Sequence, residues 1–208
     1  MTELISGRRK SLLLIVSGPA GSGKTTLCDR LLAEFSPKLQ RVVTATSRPP
    51  RPGEIEGLDY YFLSAEAFEK KVSAGAFYEH AHVHSYRYGV LRKAVLKNLD
   101  AAQDLLLNID VQGAATFRSA ARVDPRMGDR VCSVFIMPRS IEQICERLQT
   151  RGSDDDEEIL RRIETAKLEI RVWKSYDYCI LSGARDHDYE MIRSVYLAET
   201  LRADRMES

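Results

Sequence analysis

Leu12-Leu13-Leu14-Ile15-Val16-Ser17 runs directly into Gly18-Pro19-Ala20-Gly21-Ser22-Gly23-Lys24-Thr25-Thr26, and then into a segment that spaces Leu27, Leu31, Leu32 and Phe35 along one helical face before Pro37. The first six residues are apolar on both faces, the pattern of a strand buried within a parallel sheet. The middle stretch matches G-x-x-x-x-G-K-[ST]. About one random chain of this length in a hundred carries that pattern, so the context decides. A buried strand before it and an amphipathic helix after it make it a nucleoside-triphosphate site. Its glycines let successive backbone N–H groups turn inward around an anion. The helix beginning near Lys24 adds its positive end. Lys24 is the group that reaches the β- and γ-phosphates, and the Thr25 hydroxyl the one that holds Mg²⁺.

Outward from this stretch the strand–helix rhythm continues. Leu91–Leu99 reads as helix, Leu105–Asp110 as a buried strand ending in a carboxylate, Ala114–Ala121 as helix and Val131–Met137 as another buried strand. Ser140 and Gln143 form a capping box for a helix through Leu148 that Gly152 breaks. A charged helix follows to about Val172, then a strand over Asp177–Leu181 and a last helix over Tyr189–Leu201. Strands alternating with helices imply an α/β fold with a parallel sheet covered by helices on both faces. Residues 43–89 interrupt the rhythm. Pro49, Pro50 and Pro52 exclude helix and stiffen an extended loop. Tyr60–Leu63 looks like strand, Ser64 caps a short helix stopped by Gly75, and Phe77–Tyr88 is β-prone. This is a small mixed α+β insertion.

Composition narrows the function classes. The chain has 208 residues, 31 basic and 30 acidic, for a net charge of +1. That balance disfavours a nucleic-acid binder. The longest apolar run, Leu12–Val16, is far too short to span a membrane, and residues 1–10 do not read as a signal peptide. Cys28, Cys132, Cys145 and Cys179 are widely spaced within apolar patterns, so they are expected to be buried free thiols in a reducing, cytoplasmic setting.

Arg48 and Arg51 flank the prolines. Two guanidinium groups on a stiff loop suit a second phosphate group. With these residues in hand the chain resembles the guanylate kinase family: in Gly18–Leu27, in Thr46-Ser47-Arg48-Pro49-Pro50-Arg51-Pro52-Gly53-Glu54, in Gly57-Leu58-Asp59-Tyr60, in Ile109-Asp110-Val111-Gln112-Gly113, and in Arg147-Leu148, Arg151-Gly152 and Arg162. The resemblance runs from about Leu12 to Tyr196. It implies a P-loop NTPase fold in which residues 1–42, 90–145 and 167–208 form the core, 43–89 a GMP-binding subdomain and 146–166 a helical lid. It implies transfer of the γ-phosphate of ATP to GMP in purine nucleotide metabolism, with Mg²⁺ as cofactor and dGMP as an admissible acceptor. Gly18–Thr26 would bind ATP. Arg48, Arg51, Tyr60 and Tyr88 would hold the GMP phosphate, Glu79 and Thr44 would read guanine, and Glu54 would be the acidic residue of the substrate loop. Asp110 would lie near the metal, through water, and near GMP. Lys24, Arg48, Arg147, Arg151 and Arg162 would be the catalytic residues, the lid arginines Arg147, Arg151 and Arg162 closing over ATP and neutralising the migrating phosphoryl group. A carboxylate at Glu79 suits guanine because N1–H and the 2-amino group both donate, whereas adenine has no such pair.

Three positions depart from the family pattern. Val90 stands where Ser or Thr is usual, Asn108 where many members are acidic, and Ser182 where an Asn often lies beside adenine. They bear on base selectivity and efficiency, not on the reaction class. Two rivals follow: a kinase for another phosphorylated acceptor, which Glu79 opposes, and a non-catalytic protein-binding relative, which intact Lys24 and Thr25 oppose. His80, His82 and His84 alternate on one strand face and read as exposed residues rather than a metal site. The acidic run Asp154–Glu158 lacks calcium-loop spacing and suits a helix start. Trp173 and Tyr176 read as packing residues. The oligomeric state is left open.

Overall fold

The computed structural model describes residues 8–83, 85–150 and 156–207. Arg151, Gly152, His84 and the beginning of the acidic run lie outside these residues. A five-stranded sheet, built from β1 (Leu13–Ser17), β2 (Leu39–Arg41), β7 (Asp104–Asn108), β8 (Val131–Met137) and β9 (Tyr178–Leu181), has the order β2-β7-β1-β8-β9. All its pairings are parallel, with Leu13 level with both Leu105 and Val131. A second, four-stranded sheet has the order β4-β3-β6-β5, from β3 (Thr44–Thr46), β4 (Tyr60–Phe62), β5 (Phe77–Val83) and β6 (Tyr86–Leu91).

The alternation of β1 divides the core in two. Leu12, Leu14 and Val16 pack with Leu27, Cys28 and Leu31 of α1 (Lys24–Phe35) and with Ile192 and Tyr196 of α7 (Arg185–Thr200). Leu13 and Ile15 point the other way. They join Val95, Leu96 and Leu99 of α3 (Arg92–Asp100) and Phe117 of α4 (Val111–Arg122). Burying each such side chain is worth about 2 kcal/mol, which is why a strand apolar on both faces needs helices on both. The doubly covered parallel sheet is the architecture expected from the sequence. The short helix α2 (Ala65–Ser73) begins at Ser64, whose hydroxyl accepts from the Ala67 N–H at 3.0 Å. Helices α5 (Ile141–Thr150) and α6 (Asp156–Ile170) pack on each other through Ile144, Ile159 and Ala166.

Several boundaries differ from expectation. Strand β7 stops at Asn108, because Asp110 turns out to be the N-cap of α4, its carboxylate accepting from the Gly113 N–H at 2.7 Å. Helix α7 starts four residues early, at Arg185, since Asp186 and Asp188 favour its positive end. The Ser140 hydroxyl accepts from the Gln143 N–H, but the Gln143 side chain reaches Arg139 N–H rather than that of Ser140. The capping box is therefore displaced by one residue. Cys28 and Cys132 are buried thiols, whereas Cys145 is half-buried and Cys179 exposed. Cys179 alternates with buried Ile180 on β9, an edge strand. Trp173 is 38% exposed, on a turn just past α6, and Tyr176 alone packs inward, against Phe135.

The C-terminal segment is locked down by charge. Arg205 has no exposed surface, its Nη1 lies 2.5 Å from Glu199 Oε2, and its Nε donates to the Asp129 carbonyl. The Tyr178 hydroxyl donates to the other Glu199 oxygen at 2.7 Å. Among the described residues no helix is long and apolar enough to cross a membrane.

Candidate active site

The carboxyl ends of β1, β7 and β9 open onto one edge of the sheet, where ligand sites of α/β folds form. Gly18 leaves β1 at φ +143°, and a Cβ there would press into the Ile136 carbonyl of the neighbouring strand β8. Only glycine therefore lets the chain turn this close to the sheet. Gly23, also at positive φ, is the N-cap of α1, and no side chain caps this helix or places a negative charge in its first turn. The helix end and its N–H groups thus remain available to an anion. Lys24 Nζ donates to the loop carbonyls of Gly18 and Pro19 at 2.6 and 2.8 Å. Thr25 and Thr26 are exposed beside it.

Two cavities flank the loop. One, of about 420 Å³, is lined by Gly21, Ser22, Gly23, Thr26, Glu146, Arg147, Ser182 and Arg185 among others. Arg147 Nη1 donates to the Gly21 carbonyl at 3.0 Å and approaches the Ser182 hydroxyl at 3.4 Å. Ser182 in turn donates to buried Asp188 at 3.1 Å, so it is a fixed part of the wall. The second cavity, of about 410 Å³, brings Gly18, Ala20, Lys24, Asn108, Asp110, Arg161, Arg162, Thr165 and Glu169 together. Asn108 Nδ2 donates to Thr25 Oγ1 at 3.4 Å. The hydroxyl of Thr25, the amide oxygen of Asn108 and the carboxylate of Asp110 make a hard oxygen donor set of the kind Mg²⁺ prefers, so the residues present fit that ion.

The second sheet carries the other expected residues. Arg48 is buried, donates to Glu54 Oε1 at 2.7 Å and to the Pro49 carbonyl at 2.8 Å, and lies over the Tyr60 and Phe62 rings. Glu54, and next Tyr88, hold its guanidinium more firmly protonated than usual. The second Glu54 oxygen accepts the Arg51 N–H at 2.6 Å, so Glu54 uses both oxygens inside the loop it shapes. Arg51 itself is exposed, and the Tyr60 and Tyr88 rings meet edge-on at 6.0 Å. Thr44 is half-buried on β3, level with Tyr60. Glu79 on β5 is 7% exposed, and burial, reinforced by the charge of Asp110, pushes its carboxyl up to about 7. Val90, opposite Glu79 on β6, has no exposed surface and packs in the core with Leu13 and Ile15.

Two functional candidates escaped the sequence reading. Glu169 lies half-buried in the second cavity; burial raises its carboxyl, Lys24 pulls against that, and Asp110 adds to it. Arg161 lines the same cavity. The signal was available in the helical spacing, since 162, 165 and 169 fall on one face of α6. Arg151 is the expected site residue that lies outside the described residues. His80 and His82 are exposed, and His82 accepts from Arg87 Nε at 3.1 Å.

Comparison with known proteins bears on the whole chain. The guanylate kinase family model matches residues 10–199. A guanylate kinase of Nitratidesulfovibrio vulgaris is 42% identical over 94% of this chain and 91% of its own length. One from Caldanaerobacter subterraneus is 36% identical over 97% and 94%. The crystal structure of guanylate kinase from Anaplasma phagocytophilum superposes with a TM-score of 0.69, at 32% identity, covering 96% of this chain and 91% of that one.

Proposed function

The chain belongs to the guanylate kinase family, and from that premise we propose that it transfers the γ-phosphoryl group of ATP to GMP, giving ADP and GDP. The observation that carries this reading is the phosphate loop set between two cavities, with Arg147 on one side and Arg161 and Arg162 on the other. ATP phosphates would lie on Gly18–Thr26, within reach of Lys24. The GMP phosphate would meet Arg48, Arg51, Tyr60 and Tyr88, and the guanine edge Glu79 and Thr44. Ionic contacts inside the Arg48–Glu54 loop support this, because a guanidinium already fixed in place loses little entropy on taking a phosphate. Glu54 supports GMP binding indirectly, as the partner that orients Arg48. We assign residues 43–89 to GMP binding, 146–166, including Arg151, to the lid, and the remainder to the core.

The acceptor is a phosphate oxygen, anionic near neutral pH. No strong general base is required, and catalysis can rest on positioning and charge neutralisation. Arg147 and Arg162 approach from different helices, so closure of α5 and α6 would bring positive charge to the transferring group and exclude water. Thr25 and Asp110, with Asn108 beside them, would hold Mg²⁺, which when bound neutralises charge on the ATP phosphates. We assign the reaction to the cytoplasm, a reading that the unpaired thiols Cys28 and Cys132 support.

The test is ADP release from Mg-ATP with GMP, dGMP, AMP, CMP, UMP or no acceptor. Release that requires GMP or dGMP and is abolished by Lys24→Ala is the expected result. Release driven by another monophosphate, or none with any, overturns the assignment.

A further inference from the structure

Strand β5 carries one residue too many for its partner. Phe77 pairs with Leu91 and Glu79 with Val90, so Tyr78 has no counterpart on β6. Such a bulge bends the strand and re-aims the side chains beside it, and because strand faces alternate, a shift of one residue changes which way each side chain points. Here it is held from the core. The Tyr78 ring, 2% exposed, lies 4.7 Å from that of Phe117 on α4. Its hydroxyl donates to Asp124 Oδ2 at 2.8 Å, just beyond the end of the same helix. Arg92, the first residue of α3, closes the other side. Its Nε donates to the Phe77 carbonyl at 2.9 Å, its guanidinium lies 4.4 Å from the Tyr78 ring centre, and its Nη1 is 3.7 Å from Asp124 Oδ2. Arg126 completes the charge balance around Asp124 at 3.3 Å.

Tyr78, Arg92 and Asp124 line neither cavity beside the phosphate loop. Tyr78 directly precedes Glu79, Asp124 holds the Tyr78 hydroxyl, and Arg92 touches both Phe77 and Tyr78. We propose that Tyr78, Asp124 and Arg92 form a positioning clamp for base recognition: they fix the β5 bulge and thereby aim the Glu79 carboxylate at the guanine edge. The proposal rests on Glu79 being the base-reading group. It also gives α4 a double task, since this helix carries Asp110 at its N-cap, presents Phe117 to the Tyr78 ring and leads directly into Asp124. One rigid element would then set the relation between the two carboxylates nearest the acceptor.

Tyr78→Phe removes only the hydroxyl and keeps the ring in its packing. The expected result is a KM for GMP, and a Kd for GMP by calorimetry, raised about tenfold, the loss expected when a recognition group is displaced by a fraction of an ångström. The KM for ATP and kcat at saturating GMP stay within about twofold. Asp124→Asn is the second variant and should give the same split even if Tyr78→Phe expresses poorly. Glu79→Gln is run alongside. Should Glu79→Gln weaken GMP binding while both clamp variants lower only the melting temperature, the cluster is mere packing and the proposal is overturned. If Glu79→Gln leaves GMP binding unchanged, the base-reading assignment itself fails and the clamp falls with it.

Discussion

Glu79 has been buried at a cost that a conservative substitution can expose. Its carboxyl titrates normally near 4.5 and is pushed to about 7 in the fold, first by burial and then by Asp110. Because the folded value is raised, this group favours the folded state most below pH 4.5, and that advantage is lost as pH rises through 7. A tenfold change in proton affinity is about 1.4 kcal/mol, so the interval amounts to about 3 kcal/mol between pH 4.5 and pH 8. Glu79→Gln keeps the shape and hydrogen-bonding reach without a charge to desolvate. Relative to the parent protein it should gain little at pH 4.5 and about 3 kcal/mol at pH 8. Urea unfolding of both proteins without nucleotide, at half-unit pH steps, measures this directly. Asp110→Asn should recover a smaller part of the same gain. Two stability curves that stay parallel across this range would refute the reasoning, since Glu79 would then titrate alike folded and unfolded.

The same proton should appear in substrate binding. Only the ionised carboxylate accepts from guanine N1–H and the 2-amino group together, so the KM for GMP should rise about tenfold for each pH unit below 7, beyond any change seen with Glu79→Gln; a KM ratio between the two proteins that is flat with pH counts against it. Gly18→Ala should disable the phosphate loop and destabilise the fold by about 2 kcal/mol or more, because the added methyl meets the Ile136 carbonyl at a positive-φ position. Nucleotide titration with thermal unfolding reads both effects. Arg205→Ala should cost about 3 kcal/mol by leaving the buried Glu199 carboxylate with the Tyr178 hydroxyl and the more distant Arg202, 3.8 Å away, with KM values unchanged in whatever folds. An Arg205→Ala protein as stable as the parent in urea would mean that Glu199 reaches water.

The parts legible in the sequence are those whose chemistry is contiguous. The phosphate loop announces itself because glycines, lysine and hydroxyl act within one turn of chain, and β1 announces its burial because Leu13 to Val16 are all apolar. The three-residue strands β2 and β3 escaped notice, since Leu39 alone marks the first and Thr44-Ala45-Thr46 has no apolar run. Asp110 was expected to end a strand, and its capping role depends on where α4 begins. Glu54 was assigned to substrate, yet its oxygens hold Arg48 and the Arg51 N–H, a pairing made only when the loop folds back on itself.

Residue type and spacing alone thus determined the anion cradle, the stiff arginine loop and the doubly covered parallel sheet. Local geometry dictates these, and local geometry is written in neighbouring residues. Tertiary structure decided the raised carboxyl of Glu79, the bulge at Tyr78 and the placing of Lys24 and Glu169 around one cavity. Each of these depends on distance and burial between segments far apart in the chain, and electrostatics acts through space rather than along the sequence.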